Sequence, residues 1–386
     1  MLDENAYPVF LGRGRTTAAG PWLRDGHEPV NDLEHLGHPG SYSADEGLVE
    51  AVNTALILAK PLLLTGRPGT GKSELAERIA WELGVGPVLR FEAQSLTEAQ
   101  ELFYRFDLVG QMADAQLAQR RNEDPSDPRS FLTFGALGKA ILYANPEEHG
   151  DLISLDRQDE DDTRYGLRKR KPGNSTIPDA ETLDIKPRRS VVLIDEIDKA
   201  ARDVPNDLLN GIERMAFRIR ELRNRLVASP REETLKPIVV ITSNSERDLP
   251  EPFLRRCVYY NIPDPSLEKL AEILRLRVPG TSNDTSGGSS SNPADRLAPF
   301  YQALLTFFVD YRDDRAIHLA YKPGTAELLD WANALRRFKA DPGGDLKDNA
   351  GLISRTLGAV LKHQDDKQTL ITRLKKLGLD LDALPA

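Results

Sequence analysis

Three short apolar runs stand out in a chain otherwise patterned at helical spacing. Leu62-Leu63-Leu64, Val191-Val192-Leu193-Ile194 and Ile238-Val239-Val240-Ile241 are continuous and brief, as strands buried on both faces of a parallel sheet read. Leu48, Val52, Leu56 and Leu58 precede the first run, and Leu75, Ile79 and Leu83 follow it; that recurrence at three and four predicts a helix on each side. Later in the chain only helical stripes remain: Leu297, Tyr301, Leu304, Phe307 and Phe308, then Leu328, Leu329, Trp331 and Leu335, then Leu357, Val360 and Leu361. The pattern predicts an α/β domain with a parallel sheet, followed by a small α-helical domain.

Breaks in the pattern mark the boundaries. Residues 1–40 are rich in Gly, Pro and charge and read as an extended arm, residues 41–262 as the α/β domain, and residues 263–386 as the helical one. A polar, Pro-interrupted stretch over 147–189 reads as a flexible insertion, and the Gly/Ser-rich 279–295 as a flexible loop. No internal repeat is present.

Composition narrows the chemistry. Cys257 is the only cysteine, which excludes an intrachain disulfide and a multi-cysteine zinc site; a bound metal is expected to be a hard cation on oxygen ligands. His35 and His38 lie three apart with no third ligand placed near them, the pattern of a surface pair. No apolar run reaches the roughly 20 residues of a membrane helix, and the first residues carry neither a basic nor an apolar leader segment, so no membrane association and a cytoplasmic address are expected. A formal net charge of −9 over 386 residues argues against general coating of nucleic acid. Two local basic stretches remain, Arg168 to Lys171 and Arg214 to Arg225.

Between the first apolar run and its helix stands Gly66-Arg67-Pro68-Gly69-Thr70-Gly71-Lys72-Ser73. This Gly-x-x-x-x-Gly-Lys-Ser spacing, between a strand and a helix, fits a phosphate-binding loop: glycines let backbone N–H groups turn inward, the lysine reaches phosphate oxygens, and the hydroxyl ligates Mg²⁺. The second run ends in Asp195-Glu196, where Asp195 can join Ser73 in holding Mg²⁺ and Glu196 can orient an attacking water. Asp198, close behind, could start the next helix. The third run ends in Thr242-Ser243-Asn244, whose neutral amide could bond a phosphate or that water. A Pro-bounded segment then closes on Arg255-Arg256, candidates for charge compensation.

This ordered set (the loop, VVLIDEID, ITSN and LPEPFLRR, then KPGTAELLDWANAL) resembles the MoxR-like family of AAA+ ATPases over roughly residues 41–277 and, more weakly, 296–340. The resemblance implies ATP and Mg²⁺ as cofactors, Lys72 and Ser73 as Walker A, Asp195 and Glu196 as Walker B, Asn244 as sensor 1 and Arg256 as an arginine finger. Family members form rings, usually hexamers, so a homo-oligomer is expected. The resemblance also implies an insertion within 102–138, a hairpin at about 216–237, and a chaperone-like action on a protein client, such as a von Willebrand factor A domain protein. Two departures stand out: Arg255 occupies the place where many relatives carry aspartate, leaving the finger open between Arg255 and Arg256, and no clear sensor-2 arginine precedes the helix after Pro323. Lys322 could serve there as a positive charge near the γ-phosphate or be an exposed residue at a helix start. Two other readings fit parts of the chain: a McrB-like NTPase motor acting with nucleic acid, favoured by the Arg214 to Arg225 stretch, and a nucleotide-dependent assembly switch.

Overall fold

A computed structural model describes residues 10–12, 38–86, 88–153, 186–282, 293–314 and 318–379. The chain divides into two compact units, one holding residues 1–40, 44–65 and 72–261, the other 41–43, 66–71 and 262–386.

In the first unit the strands are β1 (Leu62–Thr65), β2 (Val88–Glu92), β3 (Tyr104–Phe106), β4 (Leu132–Phe134), β5 (Val191–Asp195), β6 (Ala216–Ile219), β7 (Arg225–Ala228), β8 (Ile238–Ser243) and β9 (Val258–Asn261). Five form one parallel sheet in the order β2-β5-β8-β1-β9. All three predicted runs are its inner strands, buried from end to end apart from Asp195, whereas the edge strands β2 and β9 are only partly buried. That contrast follows from position, since an inner strand of such a sheet is covered on both faces. The helices are α1 (Glu46–Leu58), α2 (Glu74–Leu83), α3 (Leu108–Arg121), α4 (Ala136–Ala144), α5 (Pro146–Ile153), α6 (Val204–Arg214) and α7 (Glu251–Leu254). On α1, Leu48, Val52 and Leu56 are buried, but Leu58 is exposed at the helix end. Two antiparallel pairs stand apart from the sheet, β3 with β4 and β6 with β7; they fall where an insertion and a hairpin were expected, the hairpin strands ending at Ala228.

Two expectations need correction. Phe10 lies in the segment read as an arm, yet it is fully buried: its N–H donates to Asn53 Oδ1 at 3.0 Å and its carbonyl accepts from Asn53 Nδ2 at 2.9 Å. Leu11 N–H donates to Glu82, whose carboxylate makes a fully buried pair with Arg78 one turn back on α2. Burial pushes the Glu82 carboxyl above its usual range, against the opposing pull of Leu11 N–H and Arg78. Residues 147–153, read as the start of a flexible insertion, instead belong to α5, which runs to Ile153 with His149, Leu152 and Ile153 buried. Its apolar residues were hidden among charges. Most of that insertion, most of the arm with His35 and Arg168 to Lys171, and the middle of the 279–295 loop lie outside the described residues.

The second unit is helical: α8 (Leu267–Arg277), α9 (Pro299–Asp313), α10 (Thr325–Arg337), α11 (Ala350–Thr356) and α12 (Lys367–Lys376). The predicted stripes supply its core, with Leu304, Phe308, Trp331, Leu335 and Leu357 buried together and Trp331 Nε1 donating to Thr356 Oγ1 at 3.0 Å. No helix among the described residues is long and apolar enough to cross a membrane.

Candidate functional site

The sheet order brings three strand ends together. β5, β8 and β1 are neighbours, in parallel, so everything that follows their last residues emerges at one edge. In open parallel sheets that carboxyl edge is where ligands bind.

After β1 the backbone takes positive φ at Gly66 (143°), Gly69 (77°) and Gly71 (85°), values that a Cβ atom disfavours and that turn N–H groups toward a common side. Residues 66–71 pack within the second unit: Arg67 lies 3.5 Å from Asp264, a Cβ on Gly69 would sit 3.2 Å from Ala326, and Thr70 Oγ1 donates to the Arg67 carbonyl at 2.9 Å. Arg67, Pro68 and Gly69 are exposed. The chain then enters the first unit at Lys72, which is buried. Burial lowers its ammonium pKa, and the carboxylates of Asp195, Asp198 and Glu196 pull the other way without cancelling the effect.

Ser73 Oγ donates to both oxygens of Asp195, at 2.8 and 2.9 Å. Thr242, at the end of β8, donates its hydroxyl to Asp195 and accepts the Glu196 N–H at 2.9 Å. Glu196 itself has φ of 55°, unusual for a residue with a side chain. Its carboxylate is held on both oxygens: Asn244 Nδ2 donates to Oε1 at 3.1 Å, and Lys199 donates to Oε2. Asp198 does not start α6, which begins at Val204; it is buried and accepts the N–H groups of Asn244 at 3.2 Å and Glu246 at 3.0 Å. One carboxylate thus ties the turn after β5 to the turn after β8.

Lys72, Ser73, Asp195, Glu196 and Asn244 are brought together in this way, joined by Thr242, Lys199 and Asp198. Thr242 could have been found as the first hydroxyl after the third apolar run, and Lys199 as the cation three residues past Glu196. Arg256 lies elsewhere in its contacts, 2.9 Å from Glu213 of α6, and Arg255 pairs at 3.1 Å with Glu251 of its own short helix. Lys322, in the second unit, is ion-paired with Asp313 at 3.0 Å and Asp264 at 3.6 Å.

The donor set suits a hard divalent cation. The Ser73 hydroxyl and the Asp195 carboxylate offer oxygen donors, and no cluster of three His, Cys, Asp or Glu among the described residues forms an all-protein metal site. Mg²⁺ is usually held so, by one or two protein oxygens with water and phosphate completing its shell.

No curated protein matches this chain. Two solved structures that match are Caenorhabditis elegans PCH-2, 15% identical over 86% of this chain and 72% of that one, with a TM-score of 0.39, and a Thermotoga maritima RuvB variant, 18% identical over 87% and 82%, also with a TM-score of 0.39. The sequence profile of the AAA domain (dynein-related subfamily) matches residues 61–257. That span is just over half of the chain and runs from the strand before the glycine loop to the residue after Arg256. The chain belongs to the AAA domain family, dynein-related subfamily.

Proposed function

We propose that this AAA-family ATP hydrolase uses Mg²⁺-dependent ATP turnover to remodel or activate a partner protein, in the manner of the MoxR-like branch. The observation that carries the reading is the Glu196 carboxylate, fixed by Asn244 and Lys199 beside the Ser73–Asp195 pair. Backbone N–H groups of Gly66 to Gly71 and the Lys72 ammonium bind the phosphates. The depressed Lys72 pKa expresses a desolvation cost that an arriving polyanion offsets. Mg²⁺, when held by Ser73 Oγ and Asp195, supplies charge neutralisation at the phosphate oxygens. Glu196 accepts the proton of the attacking water at a carboxylate oxygen, and Asn244 Nδ2 orients that water. Thr242 keeps Asp195 and the Glu196 backbone in register for this.

Arg256 is proposed as a finger that completes the site of a neighbouring copy in a ring, a hexamer by the family resemblance; its half-exposed pairing with Glu213 leaves the guanidinium near the surface. Lys322 is proposed as the sensor-2 charge, released from Asp313 when it acts. A cytoplasmic address accords with the absence of a membrane-length apolar helix among the described residues.

The test is steady-state ATP turnover of the full chain with candidate protein clients, von Willebrand factor A domain proteins included, and with duplex DNA added in turn. Stimulation by a protein, with no response to DNA, is expected. Several-fold stimulation by DNA with a steep salt dependence would replace the reading with a McrB-like nucleic-acid motor. Turnover at background throughout would leave a nucleotide-dependent assembly switch.

A further inference from the structure

Two excursions from the sheet present a surface that the ATPase reading leaves unused. The first is β3–α3–β4, the second the β6–β7 hairpin, and side chains stitch them together. Tyr104 of β3 stacks on Phe217 of β6 with ring centroids 5.8 Å apart; its hydroxyl donates to Glu221 at 3.1 Å and accepts the Arg220 N–H at 3.2 Å. Asp151 of α5 takes Arg225 of β7 through both oxygens, at 2.6 and 2.7 Å, and Arg129, just before β4, at 3.0 Å.

Two kinds of side chain remain outside this seam. On α3, Leu108, Val109 and Met112 are 57%, 78% and 57% exposed within one turn, and Ala118 is the only buried residue of the helix. On the hairpin, Arg218, Arg220 and Arg223 are exposed and have no carboxylate partner among the described residues, although Arg218 donates to the Asn224 carbonyl at 2.9 Å. Leu226, half exposed, lies directly across the ladder from Arg218. Arginine forks with no carboxylate partner among the described residues, in a chain of net charge −9, fit carboxylates or phosphates. The apolar turn decides between them. Bases would need exposed aromatic rings to stack on; here Phe103, Tyr104 and Phe217 are buried in the seam, and Phe106 and Phe131, partly buried, pack edge to face on each other with ring centroids 6.4 Å apart. A contiguous exposed apolar surface instead marks protein contact.

We infer that the joined excursions dock a protein segment carrying carboxylates beside leucine-like side chains, the apolar residues seating on α3 and the acids on the hairpin arginines. The inference names the chemistry of a partner and does not depend on ATP turnover, so binding is measured without nucleotide.

The experiment is fluorescence anisotropy of three labelled probes against the full chain: a peptide with Glu and Leu at helical spacing, a polyglutamate of equal charge, and a short duplex DNA. The Glu/Leu peptide should bind most tightly. Arg220→Glu with Arg223→Glu, and separately Val109→Asp with Met112→Asp, should each weaken it by about tenfold or more, while Lys376→Glu on α12 leaves it unchanged. Melting temperatures near that of the unaltered chain confirm that the variants fold. Binding of DNA above both peptides would make the surface a nucleic-acid site and overturn the inference. So would equal binding of polyglutamate and the Glu/Leu peptide, no binding of either peptide, or wild-type affinity in either folded double variant.

Discussion

Thr242→Val removes one hydroxyl and keeps the shape of the side chain, so it isolates a single polar link in the site. Thr242 is fully buried; its hydroxyl donates to Asp195 and accepts the Glu196 N–H at 2.9 Å. A hydrogen bond to an ionised carboxylate contributes about 1.5–3 kcal/mol, and a donor left unpaired away from water costs about 1 kcal/mol or more. The sum is a loss of about 2.5–4 kcal/mol. Catalysis should suffer as well, because the Glu196 backbone sits in the left-handed region, which costs a residue with a Cβ about 1–2 kcal/mol. Without the Thr242 bond the turn can relax and carry the carboxylate off its position. A displacement of about 1 Å reduces rate by about 10²-fold. Urea unfolding gives the stability loss, and ATP turnover of the same preparation gives the rate. A variant within about 0.5 kcal/mol of the unaltered protein, with its full turnover, would refute the role given to Thr242.

Further outcomes follow from the burial and pairing of other charges. The folded-state pKa of Lys72 lies below its ordinary 10.5, so the folded chain binds fewer protons than the unfolded one between the two values, and stability rises with pH through that window. Lys72→Met should therefore melt above the unaltered, nucleotide-free protein at neutral pH, with the gap narrowing as pH climbs toward 10.5; thermal melts across the range check it. Arg78→Met strands the buried Glu82 carboxylate and should cost about 3–5 kcal/mol in urea unfolding. Arg256→Ala breaks only a half-exposed pair with Glu213, so stability should fall by less than about 1 kcal/mol, while turnover drops by about 10³-fold. Mixing it with Lys72→Ala should restore partial turnover that grows with protein concentration, and background activity despite proven co-assembly would exclude action in trans.

Much of the fold was legible because the strongest sequence signals were the inner strands. Val191 to Ile194 and Ile238 to Ile241 are continuous apolar runs for the reason that both faces of the sheet are covered. The edge strands β2 and β9 carry Arg90, Glu92 and Asn261 among their apolar residues and made no such signal. Phe10 was illegible because its backbone is held by Asn53, and that of Leu11 by Glu82, both far along the chain. At the site, motif spacing found Lys72, Ser73, Asp195, Glu196 and Asn244, which the structure brings together. It missed Lys199, although that cation stands only three residues past Glu196, and it misjudged Asp198, because its partners Asn244 and Glu246 are fixed by the meeting of two turns rather than by spacing.

The central claim is that Lys72 binds phosphate in the ground state while Glu196 acts on the attacking water. Titration with labelled ATP, alongside turnover of the same samples, separates the two roles in Lys72→Ala and Glu196→Gln. Lys72→Ala should lose nucleotide binding, whereas Glu196→Gln should bind ATP as the unaltered chain does and hydrolyse it at background rate. Equal loss of binding in both variants, or full turnover in Glu196→Gln, would contradict the account.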